Sequence, residues 1–377
     1  MEVKTGYKNS VVGIIPEDWD VFELCQILKV KHGKDQKNVN CKDGRYPILG
    51  SGGLIGYANQ FLYDAESVLI GRKGTIDKPQ YMDSPFWTVD TLFYTEIDKS
   101  FVPKYIFYNF NLIDWYSFNE ASGVPSLNAK TIGRIKIPLP SYIEQQAITE
   151  VLSDTDNLIQ ALEKQIAKKR LVKQGVMQKL LTPKEGWEVK PLNKIVQFLN
   201  GKAHEQFIDE FGEYVVINSK FVSTDGRVWK NSSKNLCPLK KGDITMVMSD
   251  IPNGKALAKC FVVPENDKYA LNQRICALRA ESINMSFLKS ILNRNEYFLA
   301  FDSGTGQTNL KKADVLNCPV PLPSTLEEQN HIATILSDLD IEIETIEEKL
   351  SKYKSLKQGL MQNLLTGKIR LITNETV

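Results

Sequence analysis

Arg72 and Lys73 stand between Gly71 and Gly74, directly after the apolar run at 67–70. Flanking glycines permit a tight loop, and such a loop presents both cations together to a phosphate or to the acceptor edge of a guanine. A solvated turn with incidental charge is the plainer alternative. Lys255, after Asn253 and Gly254, repeats the same logic in the second half of the chain. The stretch 303–312 (SGTGQTNLKK) is rich in small amide and hydroxyl groups, and Thr305, Gln307, Asn309 and Lys311 are its candidates for pairing with bases or phosphates. A Gln or Asn amide matches the donor and acceptor pattern of adenine in a major groove, although a plain connecting loop has the same composition. Its counterpart in the first half is 122–130 (SGVPSLNAK). Trp87 reads as core rather than as a platform for a stacked base.

Bond-making chemistry finds little support. The three histidines, His32, His204 and His331, are far apart, and the six cysteines include no CxxC pair. That usage fits reduced thiols rather than a disulfide frame or a zinc site, and neither catalytic residues nor metal ligands are expected. An amine methyltransferase should show an Asn- or Asp-Pro-Pro-aromatic tetrapeptide and a glycine-rich cofactor turn, and neither occurs. Asn253-Gly254-Lys255-Ala256 lacks the spacing and the terminal Ser or Thr of a phosphate-binding loop.

The elements that would position these loops are written twice. Residues 144–182 recur 184 positions later as 328–366, with 18 of 39 residues identical and no gap. Both copies carry a heptad seam, apolar positions spaced alternately four and three apart. The seam includes Ile148, Leu152, Ile159, Leu162 and Ile166 in the first copy, and Ile332, Leu336, Ile343, Ile346 and Leu350 in the second. Two matched amphipathic helices are natural partners, and ~40 residues at ~1.5 Å per residue make a rod of roughly 60 Å. Lys169, Lys173 and Lys357 interrupt the seam. Their stems can extend over the rod, or their charges can mark a meeting with a partner subunit or a DNA backbone.

Each rod comes after a segment of similar length and punctuation. The first opens with Ile15-Pro16-Glu17-Asp18-Trp19 and exits through Pro138-Leu139-Pro140-Ser141; the second opens with Pro183-Lys184-Glu185-Gly186-Trp187 and exits through Pro321-Leu322-Pro323-Ser324. Proline keeps the residue before it out of helix and serine caps the helix after it, so both exits read as joints from head to rod. Inside the heads the pattern predicts short strands at 67–70, 87–94, 214–217, 243–248, 260–263 and 274–278, and helices at 102–110 and 285–292. The expected domains are 1–140, a first head; 141–182, a first spacer helix; 183–323, a second head; and 324–377, a second spacer helix with a C-terminal tail. Antiparallel rods would bring Leu364-Leu365-Thr366 beside the start of the first head.

The 377 residues suit two or three domains, and 42% hydrophobic with 24% charged content is that of a soluble globular protein. No run approaches the ~18 apolar residues of a membrane span, and the opening MEVKTGYKNS lacks a signal-peptide core. A cytoplasmic location is expected. The net charge of +2 is unevenly spread. Residues 183–323 hold 19 basic against 15 acidic side chains, and residues 324–377 hold 6 against 9. Bulk charge alone does not mark a nucleic-acid binder; a local basic face or a basic partner would be needed.

These doubled motifs resemble the specificity (S) subunit of type I restriction-modification systems over nearly the whole chain. The resemblance rests on the Pro-Leu-Pro-Ser exits leading to Glu144-Gln145 and Glu328-Gln329, and on Leu-Ser-Asp at 152–154 and 336–338. It also rests on the Lys-Gln-Gly-x-Met-Gln-x-Leu-Leu-Thr endings at 173–182 and 357–366. Ser51 to Tyr57, Gly71 to Ile76 and Pro85-Phe86-Trp87 add to it in the first head.

The resemblance implies an α+β fold: two similar mixed α/β target recognition domains on short strands, linked by two long helices in an antiparallel coiled coil with pseudo-two-fold symmetry. It implies that each head reads one half of a bipartite double-stranded DNA target, while the helices set the gap and dock two modification (methyltransferase) subunits. Those would in turn support a restriction subunit, a nuclease and translocase. No cofactor is expected on this chain; S-adenosylmethionine, ATP and Mg are expected on the partners. The second head departs from Gly-Arg-Lys-Gly, with Asp250 to Lys255 in the comparable place. Two other readings stay open at this point: a coiled-coil adaptor with protein-binding heads, and a self-contained DNA-modifying enzyme.

Overall fold

The computed structural model describes residues 4–250, 256–302 and 308–371. The chain divides into two units, Met1–Lys164 with Glu348–Val377, and Gln165–Glu347, so each unit holds one head and part of each rod.

In the first head, four antiparallel strands lie in the order Leu28–His32, Leu92–Ile97, Ser67–Gly71, Gln80–Met82. The strand Ser67–Gly71 is buried at all five positions, which is why it reads as a continuous apolar run rather than an alternating one. Beside it lies a three-stranded sheet in which Tyr46–Gly50 pairs antiparallel with Gly53–Ala58 and parallel with Trp87–Thr88. The helix Pro103–Phe110 starts on a proline, whose fixed φ suits a first turn, and buries Tyr105, Ile106, Tyr108 and Phe110.

The second head repeats this plan strand for strand. Its four-stranded sheet runs Gln197–Asn200, Ile275–Arg279, Ile244–Val247, Cys260–Val262. Its central Tyr214–Ile217 pairs antiparallel with Asn231–Ser232 and parallel with Tyr269–Leu271. The helix Met285–Leu292 takes the place of Pro103–Phe110.

Two strand expectations need correction. The run 87–94 is not one strand but Trp87–Thr88 and Leu92–Ile97 separated by a turn, closed where Leu92 N donates to Val89 O at 3.0 Å. The strand expected from 274 begins at Ile275, and Arg274 belongs to the matching turn with a φ of 68°.

The rods are the helices Tyr142–Leu181 and Leu326–Leu364, of 40 and 39 residues. In the first unit Ile148 and Leu152 are buried with Met361, Leu364 and Leu365 in the core that also holds Ile15 and Trp19. In the second, Ile332 and Leu336 share a core with Val176, Met177 and Leu180. The start of each helix therefore meets the end of the other, and within each unit they run antiparallel. Leu162, Ile166 and Ile343 are buried, whereas Ile159, Ile346 and Leu350 are half-buried.

The lysines of the seam meet carboxylates across it. Lys169 pairs with Glu342, Lys173 with Asp340, and Lys357 with Asp156 at 2.6 Å. Lys354 with Glu163 at 2.7 Å and Arg170 with Glu347 at 2.6 Å extend the series. Within each unit, Arg170 apart, the partner numbers fall on one helix as they rise on the other, the signature of an antiparallel register. Each pair is part-exposed and is worth only ~0.2–1 kcal/mol, so the pairs choose register while the apolar seam supplies stability.

The doubled Glu-Gln at the rod starts is a joint. Gln145 Oε1 accepts Val102 N at 3.0 Å, and Gln329 Oε1 accepts Asn284 N at 3.0 Å. Each glutamine thus satisfies a backbone N–H at the start of its head's helix. Beyond the second rod the chain returns to the first head, where Tyr7 Oη donates to Gly367 O at 3.0 Å. Among the described residues no helix is long and apolar enough to cross a membrane. All six cysteines are free thiols. Burial pushes the Cys276 and Cys318 thiols up to about 12, which leaves them inert.

Candidate nucleic-acid interface

In the first head, the loop after Ser67–Gly71 is shaped by backbone crowding. A Cβ on Gly71 would lie 2.0 Å from Thr75 O, and Gly74 has a φ of +89°, a conformation glycine adopts without cost. The loop is laced to two other segments. Arg72 N and Lys73 N donate to Thr91 O at 2.8 and 3.2 Å, Gly74 N to Pro125 O at 2.9 Å, and Leu127 N to Arg72 O at 2.9 Å. Three segments, 71–76, 88–92 and 122–128, form one clasp.

Arg72 and Lys73 take different roles in it. The Arg72 guanidinium donates through Nη1 to Asp90 O at 2.9 Å and lies 3.6 Å from the Asp90 carboxylate, so part of its capacity is spent on the turn. Lys73 is exposed, and its ammonium has no hydrogen-bond or ion-pair partner among the described residues. Both border a hollow of about 340 Å³ with His32, Glu120, Ser126 and Asn128. Trp87 is 8% exposed and donates its indole N–H to Lys34 O at 3.0 Å, a core role.

The second head builds the same clasp with matching backbone bonds. Met248 N donates to Arg274 O at 2.9 Å, as Arg72 N does to Thr91 O, and Leu310 N donates to Met248 O at 2.8 Å, as Leu127 N does to Arg72 O. Ser249 pairs with Asn309 where Lys73 pairs with Ser126. Lys202 N donates to Leu271 O at 3.0 Å and Asn272 N to Ile217 O at 3.1 Å, matching Lys34 N to Thr88 O and Val89 N to Leu49 O. The clasp therefore equates Arg72 with Met248, Lys73 with Ser249 and Thr91 with Arg274.

Of the residues expected from sequence, Lys255, Thr305 and Gln307 lie outside the described residues. Asn309 is exposed and sits in the clasp opposite Ser249. Lys311 is exposed as well, and its backbone N–H donates to Asp314 Oδ2 at 2.7 Å, closing the start of the helix Lys312–Leu316. The sequence pattern does not single out Arg274, because the residue adjoins an apolar run and reads as strand. The repeat offers the one usable signal, since 271–275 aligns with 88–92.

The turn carrying Arg274 is held from the other side. Glu205 accepts from Asn272 Nδ2 at 3.1 Å and from Gln273 Nε2 at 3.0 Å, and His204 N donates to Asn272 Oδ1 at 3.1 Å. The buried His204 ring contacts Lys202 O through Nδ1 at 2.7 Å and accepts Leu236 N at Nε2 at 3.1 Å. Those partners hold it as the Nδ1–H tautomer in a structural role. Among the described residues no three His, Cys, Asp or Glu side chains group into a metal site.

The sequence pattern of the type I restriction modification DNA specificity domain matches residues 16–169 and again 184–354. The type I restriction enzyme MjaVIII specificity subunit of Methanocaldococcus jannaschii is 29% identical over 419 residues, covering 95% of this chain and 94% of its own. The crystal structure of a type I restriction-modification S subunit from M. genitalium superposes with a TM-score of 0.69 at 15% identity, covering 97% of this chain and 98% of that one. A chain from a study of complex assembly and conformational transition in the type I R-M system gives 0.52 at 14% identity, covering 94% and 99%. At such identities the two solved structures speak to fold alone.

Proposed function

The chain belongs to the type I restriction modification DNA specificity family, and from that premise we propose that its two clasps are the reading heads of a bipartite DNA target. Each head reads one half-site, and the antiparallel rods fix the gap and dock the modification subunits. The observation that carries this reading is the clasp built twice with the same backbone bonds and different tip residues. A shared backbone frame presents side chains at equivalent places, and changed side chains give each head its own base preference. Lys73 supplies an unpaired cation for a phosphate, while Asn309 and Lys311 stand at the rim of the second clasp. Two modification subunits bring S-adenosylmethionine, and a restriction subunit brings ATP and Mg; this chain contributes recognition rather than bond-making. The assembly works in the cytoplasm, where its DNA is.

The test is to assemble the chain with a modification subunit and map the methylated positions across a genome. A split motif with a constant gap is expected. A continuous motif, or a motif unchanged when one head is exchanged for another, would overturn the reading.

A further inference from the structure

The two clasps differ in where they carry positive charge. In the first head the cations Arg72 and Lys73 sit on the segment just after the central strand. In the second, the equivalent residues are the neutral Met248 and Ser249, and the cation has crossed to the facing segment, where Arg274 replaces Thr91.

We propose that Arg274 is the specificity-determining contact of the second head, reading a guanine edge with its guanidinium; this rests on the DNA-reading role argued above. Three observations carry it. First, Arg274 is exposed, and its guanidinium has no hydrogen-bond or ion-pair partner among the described residues. Arg294, which also has a positive φ, instead donates Nη1 to Leu257 O at 3.1 Å. Second, Arg274 holds a φ of 68°, a left-handed conformation uncommon outside glycine, asparagine and aspartate, and such strain collects at binding and catalytic sites.

Third, the backbone under Arg274 is fixed on all sides. Its carbonyl accepts Met248 N at 2.9 Å, and the Glu205 carboxylate holds the side chains of both preceding residues, Asn272 and Gln273. Gly201 lies so close that a Cβ there would come within 1.8 Å of Asn272 O. A rigid turn ending in an uncommitted planar fork suits the O6 and N7 acceptors of guanine. A contact to phosphate alone needs only a flexible positive charge.

The experiment uses the full chain assembled with its modification subunits and compares Arg274→Gly and Arg274→Lys with the parent. Glycine removes the fork while suiting the backbone, so Arg274→Gly should melt no lower than the parent. It should lose discrimination at one guanine-containing position, about 5- to 150-fold by binding to matched and single-substituted duplexes. The change should stay within one half of the methylation motif. Arg274→Lys should lose the same discrimination while keeping most of the affinity, and it decides the matter should the glycine variant fail to fold. Full specificity in Arg274→Lys, or a uniform loss of affinity with the motif unchanged in either variant, would overturn the proposal. A parent complex with no split motif would sink the underlying DNA-reading role and this inference together; a split motif that ignores Arg274 would sink the inference alone.

Discussion

Arg370 grips Glu144 with two hydrogen bonds, Nε to Oε1 and Nη2 to Oε2, both at 2.7 Å. The Glu144 side chain is 1% exposed and also accepts the Trp19 indole N–H at 3.1 Å. A residue near the end of the chain thus neutralises a buried carboxylate at the start of the first rod, and the same guanidinium binds Asp18 through two bonds of 2.8 Å. Arg370→Ala leaves that carboxylate buried with a single donor. The expected cost is ~3–5 kcal/mol, read as the urea midpoint of the first unit's unfolding. The second head's counterpart, Lys184 with Glu328 at 3.3 Å, is about half exposed on the lysine side, and Lys184→Ala should cost no more than ~1 kcal/mol.

The same contact predicts a pH dependence. Hydrogen bonding from Arg370 holds the Asp18 carboxyl below its ordinary 3.8. A carboxylate with a depressed folded value adds stability that is complete above its unfolded value and disappears as pH falls through the folded one. Asp18→Asn should therefore weaken the protein at neutral pH and match the parent well below pH ~4. A difference that persists unchanged into strong acid would contradict the ion pair.

Gly33 and Gly201 make a matched pair of tests. A Cβ at Gly33 would come within 2.0 Å of Val89 O, and one at Gly201 within 1.8 Å of Asn272 O. Both partners are backbone atoms of the clasp turns and cannot swing aside as a side chain can. Gly33→Ala should disturb recognition of one half-site and Gly201→Ala the other, each by displacing its turn. Methylation mapping in which both variants corrupt the same half would contradict the two-reader arrangement.

The rods were legible because helix pairing depends on a repeated apolar period that side chains must keep. Ile148, Leu152, Ile332 and Leu336 are buried where that period puts them. The sameness of the heads was nearly invisible, since their equivalence lies in backbone hydrogen bonds such as Met248 N to Arg274 O, which any side chain tolerates. Gly53–Ala58, with two glycines, resembles a loop by composition yet pairs as a strand with Tyr46–Gly50. Arg274 is hidden in the sequence because this turn residue directly precedes the strand Ile275–Arg279, and sequence patterns do not locate such edges.

Lys73 separates phosphate attraction from base reading. Its ammonium is exposed and unpaired among the described residues, so Lys73→Ala should leave the fold and the motif intact. Loss of one phosphate contact should lower the slope of log affinity against log salt by ~0.9. Binding titrations between low and moderate salt measure this directly. Arg72→Ala should do more harm, because its guanidinium also ties the turn through Asp90 O.

The rod ends belong to the head cores as much as to each other, and this sets how substitutions divide. Leu336 is 2% exposed and shares its core with Phe287 and Leu288 of the head helix; Leu152 is likewise buried among Tyr105 and Tyr108. Replacing either leucine by alanine should cost ~2–5 kcal/mol and loosen rod and head in one transition, since the cavity opens in a core both share. Ile346, half-buried, should cost less when truncated and leave the head's near-ultraviolet signal unchanged. If Leu336→Ala released the helices while the second head kept its native melting profile, head and rod would be separate folding units, and a rod holding its head in a fixed register would need another explanation.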